Sequence, residues 1–330
     1  MKKIINSPSN VWEEMLRGMA FTHSDILERL GETGVMYRKY EGQGKVGLVS
    51  GGGSGHEPSH AGFVGKGMLS AAVAGEVFTS PTPDQVFEAI KLADKGAGVL
   101  LIIKNYTGDV MNFEMAMDMA EAEGIKVDKV IVNDDIAVED STYTAGRRGV
   151  AGTVLVHKIL GAAAEQGMSL EDLKKLGDKV IENTKTVGVA ISPATVPAVG
   201  KPGFELADDE MEYGIGIHGE PGYRREKIKP SKEIAQELIS RLKEECNWKE
   251  GDRYGVFVNG MGGTPLMELY IFMNDVQEIL SKDGLVFDFK KVASYMTSIE
   301  MAGLSLTLIK LEDEKWVEYL KYPVETAAWV

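Results

Sequence analysis

The chain has 330 residues, 44% of them hydrophobic and 26% charged, the balance of a globular protein long enough to bury two sizeable cores. Its 36 lysines and arginines stand against 50 aspartates and glutamates, a formal net charge of −14 with no long basic block, which opposes binding to a phosphate backbone and removes nucleic acid from the expected partners. The single cysteine, Cys246, excludes an intramolecular disulfide framework and any multi-cysteine metal or iron–sulfur site, and fits a reducing compartment.

The N-terminal stretch MKKIINSPSN turns polar where a signal peptide needs an apolar run of roughly 7 to 15 residues, so a cytoplasmic protein is expected. No stretch approaches the roughly 20 apolar residues of a membrane span, and no membrane partner is expected. Val11, Met15, Leu16 and Met19 recur at helical spacing, with Asn10 as N-cap and Glu13 three residues on, and predict an amphipathic helix. Short β-branched apolar runs at 46–50, 99–103 and 130–132 then alternate with helical stretches at 83–95 and 112–123, the rhythm of βαβ units with a parallel sheet. From about 137 to 185 the pattern is helical, with Ser169 capping the helix that follows it.

A new apolar run at 186–191 leads into Pro193, Pro197, Gly200, Pro202 and Gly203, which places a domain boundary near residue 184. The expected fold class is α/β, with an N-terminal α/β domain over 1–184 and a C-terminal α/β domain over 185–330. The second half predicts strands at 214–217 and 254–259, a helix at 231–245 and an apolar stretch at 304–311; the tail 319–330 fits either domain.

The densest local signal is GGGSGHEP at 51–58, after the first of these runs. Four glycines in five residues let backbone N–H groups turn inward around a small polar or anionic ligand, though a tight strand-to-helix turn uses the same residues. The segment fails the G-x-G-x-x-G fingerprint at its last glycine, and no G-x-x-x-x-G-K-[ST] occurs anywhere, so no nucleotide site of its own is expected. HEPSH at 56–60 formally matches the zinc-protease pattern, but Pro58 between the histidines argues against the continuous helix that pattern requires. No metal is expected.

KNYTGD at 104–109 follows the apolar run 99–103. Ligands in open α/β sheets sit beyond the carboxyl ends of strands, so this segment and the glycine segment are expected to face one another, with Asp109 a candidate base and Lys104 a candidate donor. The alternative is a solvated turn in which Asp109 caps the next helix. In YGIGIHGEPGYRR at 213–225, His218 is fenced by glycines after a strand-like run, whereas His157 lies in an apolar helix as a packed residue and His23 near a turn. RRGVAGT at 147–153 and VNGMGGTP at 258–265 read as turns feeding helices.

Taken in order, GGGSGHEP, KNYTGD, RRGVAGT, GIGIHGEPG and VNGMGGTP resemble the dihydroxyacetone kinase family, specifically its substrate-binding K subunit, over essentially the whole chain. The resemblance implies a two-domain K fold, a homodimer and a covalent hemiaminal between dihydroxyacetone and the histidine matching His218. It implies that His56 and Asp109 work on the substrate hydroxyls, and that Gly53, Ser54, Gly55, His56 and Lys104 cradle the substrate. Roughly three quarters of a histidine with its ordinary pKa is neutral at pH 7, so an imidazole nitrogen can add to a ketone without a further base. Such an adduct selects a ketone over glycerol, which has no carbonyl to add to.

The chain ends without the helical nucleotide-binding domain of the single-chain kinases, so the resemblance is to the split systems, in which a separate L subunit carries ADP or ATP with Mg. The expectation is therefore a K subunit with no cofactor of its own. Two other readings stay open: a dihydroxyacetone-binding coactivator of a transcription regulator without turnover, and a binder of an anionic ligand such as a phosphorylated sugar.

Overall fold

Alternating apolar runs and amphipathic helical segments build two six-stranded mixed sheets among the described residues, one from each half of the chain. The computed structural model describes residues 2–40 and 42–329, so Met1 and Val330, the ends of the two expected domain spans, lie outside the described residues.

The first half runs α1 (Val11–Thr22), β1 (Leu27–Arg29), β2 (Val35–Arg38), β3 (Gly47–Ser54), β4 (Gly65–Lys66), β5 (Ala71–Val77), α2 (Pro83–Ala93), β6 (Val99–Lys104), α3 (Thr107–Ala122), β7 (Val127–Val132), α4 (Thr153–Glu165) and α5 (Leu170–Glu182). Its sheet has the order β1-β2-β5-β3-β6-β7; the last four strands are mutually parallel, and β1 and β2 join antiparallel. Strand β6 reads VLLIIK and is buried at every position because helices cover both of its faces. Val99, Leu101 and Ile103 pack with Val86 and Phe113 of α2 and α3, while Leu100 and Ile102 pack with Leu155 and Leu173 of α4 and α5.

The second half runs β8 (Thr184–Ala190), β9 (Glu210–Tyr213), β10 (Arg224–Lys227), α6 (Ser231–Cys246), β11 (Arg253–Gly260), α7 (Leu266–Leu280), β12 (Val286–Ala293), β13 (Gly303–Lys310), α8 (Glu314–Lys321) and β14 (Glu325–Thr326). Its sheet has the order β10-β9-β8-β13-β11-β12 and is antiparallel except for the β11–β12 pair. The tail crosses back: β14 pairs with β4, the Ala328 amide donates to the Gly62 carbonyl, and Trp316 and Trp329 join the same apolar cluster as Leu155 and Val64. Among the described residues no helix is long and apolar enough to cross a membrane.

Four local expectations are corrected. The strand expected to end at residue 50 continues to Ser54, because Gly51, Gly52 and Gly53 pair with Val73, Ala74 and Gly75 of β5 and the neighbouring ladder overrides the low strand propensity of glycine. Helix α3 starts at Thr107, which puts Asp109 in its first turn rather than at a cap. The strand expected at 214–217 lies at 210–213 instead; Gly214, at φ 77°, turns the chain out of the sheet. The helical region expected from about 137 begins only at Thr153, and the preceding segment is held instead by an ion pair between Asp135 and Arg148 at 2.7 Å. Ser169 does cap α5, accepting from the Asp172 amide at 3.2 Å, whereas Asn10 occupies the N-cap position of α1 without a side-chain bond.

Candidate active site

Strands β3 and β6 are parallel neighbours, so their carboxyl ends leave the first sheet on one edge, and the glycine segment and the KNYTGD segment emerge side by side. The loop between β9 and β10 comes across from the second sheet and brings His218 to the same place. Together they enclose a cavity of about 480 Å³ whose walls include Gly53, Ser80, Tyr106, Asp109, Tyr143 and His218.

His218 is held from both ring nitrogens. Its Nδ1 lies 3.0 Å from Glu220 Oε1, and the other oxygen of that carboxylate accepts from the His218 amide at 2.9 Å. Its Nε2 lies 3.1 Å from His56 Nε2. Tyr106 and Phe78 present rings edge-on to His218 at centroid distances of 4.7 and 5.1 Å, and fix its plane. Burial favours the neutral acid of Glu220, but the hydrogen bond from His218 and the charges of His218 and Arg148 outweigh it and hold this carboxyl at about 2. Arg148, fully buried, ties the loop down by donating to the Gly214 carbonyl at 2.7 Å.

His56 is fully buried, and Thr297 O lies 2.7 Å from its Nδ1. A carbonyl only accepts, so Nδ1 carries the proton and Nε2 presents a lone pair to His218. Burial, then the nearby His218 and Lys104, hold the His56 imidazole well below the ordinary histidine range. The two Nε2 atoms therefore share a single proton, which His218 donates and His56 accepts.

Asp109 opens onto the cavity from the first turn of α3. Ser80 Oγ donates to its Oδ1 at 2.5 Å, and Lys104 Nζ approaches its Oδ2 at 3.4 Å. Lys104 itself lies beneath the cavity, 1% exposed, with Gly51 O at 2.9 Å and His60 Nε2 at 3.0 Å. Gly52 makes room for it: at φ 149° it has no Cβ, and an added one would stand 2.4 Å from Lys104 Nζ.

Of the residues expected to cradle a ligand, Gly53, Asp109 and His218 line the cavity, while His56 stands one layer behind His218. Ser54 and Gly55 face elsewhere: the Ser54 hydroxyl donates to the Gly75 carbonyl at 2.7 Å, and the Gly55 amide donates to the Glu57 carboxylate. His56 and His60 do not converge on a common point, since His60 bonds Lys104 and His157 instead. Sequence reasoning missed Glu220, Tyr106 and Arg148, each of which sits inside a motif already singled out. It also missed Phe78 and Ser80, which precede α2 in a segment with no glycine or histidine to mark it.

A family model described as the Dak1 domain matches residues 17–328. Over 329 residues the chain is 65% identical to the Listeria innocua protein named PTS-dependent dihydroxyacetone kinase 1, dihydroxyacetone-binding subunit DhaK, with 100% of both chains covered. Among solved structures it is similar to the dihydroxyacetone kinase operon co-activator Dha-DhaQ, with a TM-score of 0.92 at 45% identity over 96% of this chain and 98% of that one. It is also similar to the dihydroxyacetone kinase of C. freundii, with a TM-score of 0.91 at 35% identity over 99% of this chain and 60% of that one.

Proposed function

The chain belongs to the Dak1 domain family, and we propose that within it this chain is the dihydroxyacetone-binding subunit of a split dihydroxyacetone kinase, holding its substrate as a hemiaminal on His218. The observation that carries the reading is the placement of His218, which lines the cavity together with Asp109 while its nitrogens rest on Glu220 and His56.

Addition begins with the proton between the two histidines. His56 Nε2 takes it, His218 Nε2 forms a bond to C2 of the ketone, and the carbonyl π pair moves to oxygen, which receives that proton from His56. The ring, cationic before addition because both of its nitrogens donate, to Glu220 and to His56, is left alkylated at Nε2 with the same single positive charge, which the Glu220 carboxylate at Nδ1 balances. His56 gives up its proton readily because burial disfavours the charged ring.

With the ketone fixed, Asp109 accepts the proton of a terminal hydroxyl, whose oxygen attacks the transferred phosphorus as the donor P–O bond breaks. The phosphoryl group comes from ATP with Mg on a separate L subunit, where the ADP left behind is recharged through a phosphotransferase system; this chain works as a cytoplasmic homodimer divided near residue 184. The full-length identity to a named kinase subunit, 65%, against 45% to the co-activator structure, supports the kinase reading over the coactivator one.

Mixing the purified chain with dihydroxyacetone, its cognate L subunit and that subunit's phosphoryl donor tests the reading. Dihydroxyacetone phosphate is the expected product. An intact His218 adduct with no product would instead favour the coactivator role.

A further inference from the structure

Asp109 leans on a lysine whose remaining partners have no place in the mechanism above. Three acceptors surround the Lys104 ammonium: Gly51 O at 2.9 Å, His60 Nε2 at 3.0 Å and Asp109 Oδ2 at 3.4 Å. An ammonium only donates, so His60 Nε2 presents its lone pair and the His60 proton sits on Nδ1. That Nδ1 lies 2.9 Å from His157 Nε2, which must accept, and His157 then carries its proton on its own Nδ1, a buried atom without a hydrogen-bond partner. The tautomers are thus fixed in one direction from Lys104 to His157, through residues all 5% exposed or less.

We propose, resting on the kinase reading above, that His60 is a positioning residue that anchors Lys104 so that Asp109 stays available as a base. The two short bonds, to Gly51 and His60, hold the ammonium away from the carboxylate; a close charge-assisted contact would lie at about 2.7–2.9 Å. At 3.4 Å the ammonium steadies Asp109 without locking it into a tight buried pair. A carboxylate closely paired with a cation is a weaker base, which is the wrong property for a group that must take a hydroxyl proton. His157 supports that tautomer of His60 by accepting from its Nδ1.

The titratable and charged groups around Asp109 are Lys104 from the end of β6, Tyr106 from the approach to α3 and His218 across the cavity, with Glu220, Arg148 and His56 behind His218. Ser80 completes the shell with its hydroxyl.

The test compares wild type with His60→Leu, which removes the acceptor, and His60→Gln, whose amide oxygen reaches the Nε2 position. Turnover is followed against pH with the L subunit and its donor in excess, and the His218 adduct is followed by mass. In His60→Leu the adduct is retained, the acid limb of kcat moves to lower pH by about half a unit or more, and plateau kcat falls about threefold or more. His60→Gln restores both. Should His60→Leu fail to fold, His60→Asn, whose shorter amide reaches only the Nδ1 position, carries the same expectation.

A His60→Leu profile that superimposes on wild type overturns the proposal, as does an equal loss in His60→Gln. Nitrogen-15 spectra of the histidine rings give a readout without turnover: His60 must be protonated at Nδ1 and bare at Nε2, and the opposite tautomer refutes the anchor. Wild type that forms neither adduct nor product refutes the kinase reading itself, a different result from an active wild type indifferent to His60.

Discussion

His56 and His218 meet Nε2 to Nε2 at 3.1 Å, although 162 residues separate them in the chain. The outer nitrogen of each ring is committed elsewhere, to Thr297 O for His56 and to Glu220 for His218, so only one proton fits between them. The pair is thereby a nucleophile with its proton acceptor already in contact. Phe78 stacks on His56 and stands edge-on to His218, which keeps both rings in register.

His218→Ala removes the atom that adds to the ketone. Intact-protein mass spectrometry after incubation with dihydroxyacetone should show an adduct on wild type and none on the variant. An adduct of unchanged occupancy on His218→Ala would sink the assignment.

Asp109→Asn keeps the shape of the first turn of α3 and removes the base. The adduct should persist while phosphoryl transfer falls by roughly 100-fold or more. Near-normal product formation would count against Asp109 as the proton acceptor.

Glu220→Gln removes the charge and one of two acceptors. The amide oxygen can accept from His218 Nδ1 or from the His218 amide but not both, and the negative charge that balances the alkylated ring is gone. A hydrogen bond to a charged group is worth about 1.5–3 kcal/mol, so adduct affinity should fall by roughly 10- to 100-fold. Binding within twofold of wild type, measured by titration calorimetry, would show that the charge of Glu220 is not used.

Burial, reinforced by the charge of Lys104, pushes His157 down to about 3, and burial likewise lowers His60 and His56. These histidines are neutral in the fold but take a proton near pH 6.5 once unfolded, so below that pH the unfolded chain binds more protons. Their contribution to stability is complete above about pH 6.5 and is lost as pH falls toward the folded values, at up to about 1.4 kcal/mol per pH unit for each. Urea unfolding between pH 7 and 4 should show this fall. His157→Gln, which still accepts from His60, should be shallower by about one such increment, and parallel curves would contradict the argument.

Much of the first sheet is legible from residue pattern alone. The unbroken apolar run of β6 announces a strand covered on both faces, and Ser169 marks the start of α5. His218 and Asp109 stand out because polar residues next to glycines beyond strand ends have few structural reasons to be there.

What stayed hidden depends on contacts between distant parts of the chain. Glycines 51–53 read as a loop because their strand conformation comes from pairing with β5 rather than from their own propensity. His60 and His157, 97 residues apart, leave no trace in spacing, and only the fold shows that Lys104 points down toward them rather than into the cavity. Glu220 was visible as a letter in HGEPG, but its role arises from a turn that sets one carboxylate against both the amide and the ring of His218.

The most direct test of the central claim is a crystal structure at near-atomic resolution after soaking with dihydroxyacetone. The account predicts continuous density from His218 Nε2 to a tetrahedral C2, with Asp109 against a terminal hydroxyl. An empty cavity, or a planar ketone lying free of the imidazole, would contradict it.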